Sequence, residues 1–221
     1  MNATDKLLEL DNTKKVIPVA GSSNLHFSHS DCQDIADPTG IALEEGELLY
    51  GLIRTTKPQA VLETGTNIGV SASYIALGLK DNGSGHLTTI EHSTHVANRA
   101  KAKFVEMGLS DLITVEITST QDYFAKLPQD QKFDFLWLDT ELKERYQELL
   151  TLFPHVTPGG IICIHDLWCL DFDWFGGVPD DMKQLLWNGD LRCLTFNTVH
   201  GLTVFQKRRK NDYLADLFRS A

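Results

Sequence analysis

Apolar residues recur along this chain with two different periods, and the periods take turns. Residues 41–56 (IALEEGELLYGLIRTT) set Leu48, Leu49, Leu52 and Ile53 at helical intervals, and Pro58 breaks the pattern. A short apolar strand follows at 60–63, then a turn over Gly65–Gly69 and a helix over 71–80. The alternation continues with strands at 86–91, 112–116, 133–138 and 160–165 and helices at 94–107, 120–127 and 141–153. Gly108 ends one helix, and Pro158–Gly159–Gly160 reads as the turn before the fifth strand. Such alternation predicts a parallel sheet with helices on both faces and right-handed crossovers. The end of the chain departs from it. CLTFN (193–197) and LTVFQ (202–206) have only Thr198–Gly201 between them, room for a hairpin but not for a parallel crossover. The expectation is a doubly wound α/β fold, its mostly parallel seven-stranded sheet closed by a C-terminal antiparallel hairpin. Residues 1–40 follow neither period and read as an irregular arm before a domain over 41–221. No internal repeat or low-complexity linker interrupts the chain.

In open α/β sheets a ligand binds beyond the carboxyl ends of the strands, where strand order reverses. The first strand ends on Glu63, and VLETGTNIGVS (61–71) has the spacing ExGxxxG instead of GxGxxG. The longer gap suits an amino-acid moiety better than a pyrophosphate. Gly65 and Gly69 allow close backbone approach, Thr66 lies inside the turn, and a helix starting near Ser71 favours a carboxylate at its first amides. Glu91 ends the second strand, where an acid can accept hydrogen bonds from both hydroxyls of a ribose. Ser119, Thr120 and Gln121 follow the third strand, where the base of a nucleoside would lie. Each feature also has a plain structural reading: a tight turn, a solvated strand-end acid, a polar loop.

Composition narrows the class. Of 221 residues, 42% are hydrophobic and 23% charged, the balance of a soluble globular domain. A net charge of −10 argues against nucleic acid as a partner. The one basic cluster, Lys207–Lys210 (KRRK), reads as a solvated strand end. Cys32, Cys163, Cys169 and Cys193 form no CxxC pair and no zinc spacing, and Cys163 sits in an apolar run. Reduced thiols, no signal-peptide core and no apolar stretch near the ~20 residues of a membrane span predict a cytoplasmic protein without a membrane partner.

VLETGTNIGVSASYIALGL, LTTIE, FDFLWLD and TPGGIICIHD, in this order, resemble the class I S-adenosylmethionine-dependent methyltransferases. Within that class they look like the small O-methyltransferases related to catechol and caffeoyl-CoA O-methyltransferases, over residues 41–206. The resemblance implies a Rossmann-like methyltransferase fold, of which the closing hairpin is part, and S-adenosylmethionine as cofactor. Glu63, Gly65, Thr66, Gly69 and Ser71 would serve its methionine end, Glu91 the ribose, Ser119, Thr120 and Gln121 the adenine, with Asp139 at the rim. The implied activity is O-methylation of a small hydroxyl-bearing acceptor. A nicotinamide-dependent oxidoreductase on a similar sheet and a non-catalytic S-adenosylmethionine-binding protein stand as alternatives.

Methyl transfer is an in-line displacement, so the protein mainly aligns the nucleophile and removes its proton. Asp139 and Asp166 end the fourth and fifth strands, and two rim carboxylates could hold Mg²⁺ and lower the pKa of a hydroxyl. The resembled enzymes carry an asparagine after the second aspartate; here that residue is Leu167, which leaves the ligand set incomplete. Without a metal, His165 or Asp166 would be the general base. Lys143 lies near the lysine those enzymes use at the acceptor, in a segment one residue longer. The aromatic stretch 167–178 (LWCLDFDWFGGV) reads either as a lid or as packing onto the domain or a second subunit, and a homodimer is part of the expectation. His26 and His29 in the arm could reach the mouth of the same site, but lone histidines read as surface residues.

Overall fold

The computed structural model describes residues 40–167, 179–198 and 200–209, all within the unit 34–221. The arm expected over 1–40, apart from Gly40, lies outside the described residues, as do residues 168–178 of the aromatic stretch, His26, His29, Cys32 and Cys169.

The helices are α1 (Leu43–Thr56), α2 (Val70–Asn82), α3 (Thr94–Glu106), α4 (Thr120–Ala125), α5 (Leu142–Leu152) and α6 (Asp180–Trp187). The strands are β1 (Ala60–Thr64), β2 (His86–Glu91), β3 (Ile113–Ile117), β4 (Phe133–Leu138), β5 (Val156–His165), β6 (Leu191–Phe196) and β7 (Leu202–Lys207). They form one seven-stranded sheet in the order β3-β2-β1-β4-β5-β7-β6. β1 to β5 pair in parallel, and β7 runs antiparallel to both β5 and β6.

Burial explains the order. β4 (FDFLWL) is buried throughout except at Asp134, as a strand covered on both faces must be. Asp134 itself ties neighbouring strands together: Oδ2 accepts from the Gln59 and Ala60 amides (2.9 and 3.2 Å), and Oδ1 from the Thr157 hydroxyl (3.0 Å). The edge strands β3 and β6 are largely exposed. On one face Leu62, Leu136, Leu138, Ile162 and Ile164 pack with Leu149 and Leu152 of α5 and Met182 of α6. α2 is buried at every residue from Val70 to Leu79. A helix with no polar face must be covered on both sides, and α2 packs on α1 as well as on the sheet.

Three expectations change. Pro158–Gly160 is not a turn before β5 but part of it. The pairing slips between Phe133↔Val156 and Phe135↔Ile161, and Gly159 takes φ 88°; a bulge with a left-handed glycine bends a strand without ending it. α6 was not anticipated, although Met182, Leu185 and Leu186 carry helical spacing. Lys207 is half-buried and anchored: its Nζ donates to the Phe153 and Val156 carbonyls (2.7 and 2.9 Å) and lies 4.3 Å from the centre of the Phe153 ring. Cys163 is buried as expected, and Cys193 is exposed. No helix among the described residues is long and apolar enough to cross a membrane.

Candidate active site

Register sets the site. Thr64 pairs with Ile90 on one side and Leu138 on the other, and Leu138 pairs with Ile164. The next residues are Glu91, Gly65, Asp139 and His165, one row across the carboxyl edge. The row straddles the β1/β4 junction, where chain order reverses.

The loop after β1 is tied down by its own amides. Gly65 and Thr66 both donate to the Ile90 carbonyl at 3.1 Å, and Asn67 donates to Glu91 Oε2 at 3.0 Å. Gly65 (φ 86°) passes so close to β4 that a Cβ there would stand 2.3 Å from the Asp139 carbonyl oxygen. Gly69 (φ 83°) turns the chain into α2, and a Cβ there would meet the Phe104 ring at 2.6 Å. α2 starts at Val70, one residue before the expected Ser71.

Beneath the loop lies a buried bracket. Ser71 Oγ donates to Glu63 Oε1 and Thr89 Oγ1 to Glu63 Oε2, each at 2.5 Å, and the Thr66 and Thr89 hydroxyls share a bond of 2.6 Å. Glu63 is wholly buried. Burial pushes its carboxyl up to about 8 against the opposing hydrogen bonds from Ser71 and Thr89. Glu63, Thr66 and Ser71 therefore stand under the loop, and with Gly69 they are not on the cleft wall.

The cleft above the row measures about 990 Å³, the upper end of the ~300–1,000 Å³ usual for small-molecule sites. Gly65, Glu91, Ser119, Thr120, Gln121, Asp139, Lys143 and Asp166 line it, together with Ile90 and Val96. Glu91 also accepts from the Ser93 amide (2.8 Å), so its carboxylate is fixed. Ser119 caps α4: its Oγ accepts from the Asp122 amide at 3.0 Å and donates to Asp122 Oδ2 at 2.9 Å. Gln121 is exposed, and Lys143 stands exposed on the first turn of α5.

Two residues along that helix, Arg145 is buried, and it organises the rim. Nη2 donates to Asp139 Oδ1 and Nη1 to Asp166 Oδ2, both at 3.0 Å. Nε donates to the Thr140 carbonyl (2.8 Å), and Nη1 also donates to the His165 carbonyl. Asp166, at φ 52°, holds a left-handed conformation that costs a non-glycine residue about 1 kcal/mol or more. Its side chain is 33% exposed, the most open of the cluster.

His165 is nearly buried between carboxylates. Nδ1 donates to Asp139 Oδ1 and Nε2 to Glu45 Oε2, both at 3.0 Å. Burial favours the neutral ring, but the hydrogen bonds to Asp139 and Glu45 and the attraction of Asp139 and Asp166 outweigh it and raise the ring to about 10. With both ring nitrogens committed to carboxylates, an imidazolium here has no free lone pair for a substrate proton. Glu45 on α1 is wholly buried and also accepts from the Ala42 and His200 amides, the Thr198 hydroxyl and His200 Nδ1. Burial would raise its carboxyl, yet these bonds hold it well below the usual range. On α5, Glu148 is buried beside Thr64, whose hydroxyl donates to it at 2.8 Å, and burial raises that carboxyl.

Among the described residues two groups have metal-like spacing, Asp139–His165–Asp166 and Glu45–His165–His200, each with donor atoms within 4.8 Å. Neither donor set fits an ion. The Asp139 and Asp166 oxygens that converge are occupied by the Arg145 fork, and Glu45 accepts five bonds from this chain's own N–H and O–H groups.

Arg145, Glu45 and His200 were not foreseen as site residues. Arg145 did leave a signal: it falls in the inward stripe of α5, with Leu142, Leu149 and Leu152.

Comparison with known proteins places this geometry. The family described as "Methyltransferase domain" matches residues 62–167, from β1 through the rim aspartates to Leu167. That segment is similar to a methyltransferase domain. A curated Mycobacterium sp. (strain JLS) protein named "Putative O-methyltransferase" is 31% identical over 121 residues, 54% of this chain and 54% of that protein. The match thus spans about half the length of this curated relative. Among solved structures, the O-methyltransferase TomG from Streptomyces achromogenes, in complex with S-adenosylmethionine, superposes with a TM-score of 0.69 at 20% identity. It covers 94% of this chain and 96% of TomG. The Bacillus cereus O-methyltransferase in complex with S-adenosylhomocysteine gives 0.68 at 17% identity, over 81% of this chain and 88% of that one. The described residues therefore share the expected Rossmann-like fold of these structures, closing hairpin included.

Proposed function

We propose that this chain is an S-adenosylmethionine-dependent methyltransferase that methylates a hydroxyl oxygen of a small acceptor. The row Glu91–Gly65–Asp139–His165 at the strand-order switch carries the reading. Its acidic rim suits a cationic sulfonium and opposes a pyrophosphate, which weighs against the nicotinamide alternative. Glu91 receives the ribose hydroxyls, Gly65 lets the ligand lie against the backbone, and Ile90, Val96, Thr120 and Gln121 flank the adenine. Ser119, busy as a helix cap, contributes mainly by shaping that loop. When bound, the cofactor supplies a methyl group on a positively charged sulfur, already a good leaving group.

Asp166 is the base. Its open carboxylate would accept the hydroxyl proton, while the bound cofactor would supply the methyl group to that oxygen and retain the departing electron pair on its sulfur. Asp139 acts through His165 and Arg145, keeping the rim in place. Glu63, Thr66, Gly69 and Ser71 support the cofactor loop from below. Lys143 faces the acceptor side of the cleft. The buried thiol of Cys163 favours a cytoplasmic setting, and exposed Trp187 and Leu194 are in keeping with a homodimer.

A thermal-shift series with S-adenosylmethionine, S-adenosylhomocysteine and NAD tests the cofactor, because a ligand that binds only the folded state raises apparent stability. Both adenosyl ligands should raise Tm and NAD should not; no shift with either at saturation overturns the reading. A panel of phenols, sugars and hydroxy acids then identifies the acceptor.

A further inference from the structure

We infer that the Arg145 guanidinium stands in place of a divalent ion at the Asp139–Asp166 pair, and that the site works metal-free with Arg145 as a positioning residue. The inference rests on the methyltransferase reading above and adds to it how the rim is held.

Three observations converge. The fork is filled: Arg145 gives its N–H groups to Thr140 O, His165 O, Asp166 Oδ2 and Asp139 Oδ1, with its side chain only 7% exposed. A planar guanidinium bonded on both arms is fixed in orientation. Mg²⁺ would need about six oxygens at ~2.1 Å in near-octahedral array, and the two aspartate oxygens that could start such a shell already accept N–H groups from the arginine. Bringing an ion to those oxygens would set it against a buried cation.

The third ligand position is also spent. Leu167 donates its amide to the Gly201 carbonyl (3.1 Å), its own carbonyl accepts from the Thr203 hydroxyl (2.9 Å), and its side chain packs against the core. The residue after Asp166 is thus built into the β7 end of the sheet and offers no oxygen to the cleft. Arg145 also answers a need an ion would otherwise meet. Asp166 sits in a left-handed conformation (φ 52°) at the rim, and the bond from Nη1 holds its carboxylate there, one oxygen bound to the arginine and the other without a hydrogen bond among the described residues.

The test uses the full chain. Mn²⁺ is titrated and followed by the loss of its free-ion paramagnetic resonance signal, while S-adenosylhomocysteine affinity is measured by calorimetry with Mg²⁺ or with chelator. The signal should remain that of free Mn²⁺, and affinity should agree within about twofold in the two buffers, since an ion absent from the folded state has no linkage to binding. One Mn²⁺ bound per chain, and lost in Asp166→Asn, overturns the inference while leaving the methyltransferase reading intact. Failure of S-adenosylhomocysteine to bind in either buffer strikes the methyltransferase reading instead. For the positioning role, Arg145→Lys keeps the charge but not the two-armed geometry. It should lower kcat by about tenfold or more with cofactor affinity little changed; wild-type kcat in that variant overturns the role.

Discussion

Glu63→Gln should leave stability nearly unchanged at pH 5 and raise it substantially at pH 9. Glu63 is wholly buried under the cofactor loop, its partners are two hydroxyls, and the charged groups that act on it are the carboxylates of Asp139 and Glu91. Its carboxyl titrates at about 8 in the folded chain against an ordinary value of 4.5. Between those values the folded state holds a proton that the unfolded state has lost, so stability falls as pH rises, by up to about 1.36 kcal/mol per pH unit. Accumulated across the window the loss is on the order of 5 kcal/mol. Glutamine has nearly the same shape and does not titrate, and the Ser71 and Thr89 hydroxyls can rotate to meet its amide. Urea unfolding of both chains at pH 5, 7 and 9 isolates the effect, because the titration of His165 and Glu45 is common to both and cancels in the difference. The gap should stay within about 1 kcal/mol at pH 5 and widen steadily to pH 9. Parallel stability curves would refute the reasoning, for they would mean that the folded chain carries Glu63 ionised throughout.

Asp166→Asn should lower kcat by about 10²- to 10⁴-fold, the usual contribution of a general base, with S-adenosylhomocysteine affinity preserved by calorimetry. Glu91→Ala should weaken that affinity by about 10- to 100-fold, since charge-assisted hydrogen bonds contribute roughly 1.5–3 kcal/mol; an unchanged affinity would remove the ribose from Glu91. Glu45→Gln should cost about 3–5 kcal/mol near neutral pH by leaving His165 with one carboxylate partner fewer in a buried site. Because the Glu45 carboxyl is held below its ordinary 4.5, its contribution is lost as pH falls, so the gap to wild type should narrow below that pH in urea unfolding.

Local chemistry made much of the fold legible. β4 announces itself as FDFLWL because a strand covered on both faces has to be apolar nearly throughout, and the Thr198–Gly201 gap is too short for anything but a hairpin. Glu91, Asp139 and Asp166 were readable as strand-end acids for the same reason: polar residues that close apolar runs mark where strands leave the core. Pro158–Gly160 misled because proline and glycine mark turns and bulges alike, and only pairing with β4 distinguishes them.

The sequence by itself determined most of the strands and helices, the closing hairpin and the acids at the strand ends, because periodicity and turn chemistry act over a few neighbouring residues. Tertiary structure alone decided which of those acids meet and what state they hold. Glu45 reaches His165 across 120 positions of chain and Arg145 reaches Asp166 across 21. Parallel register brings Glu91, Gly65, Asp139 and His165 into one row. Once buried together, Arg145 and His165 become the cations that hold the rim, and Asp166 is left as its open carboxylate. Protonation and ligand competence follow from desolvation and from partners distant in sequence, and neither is written in any local window of it.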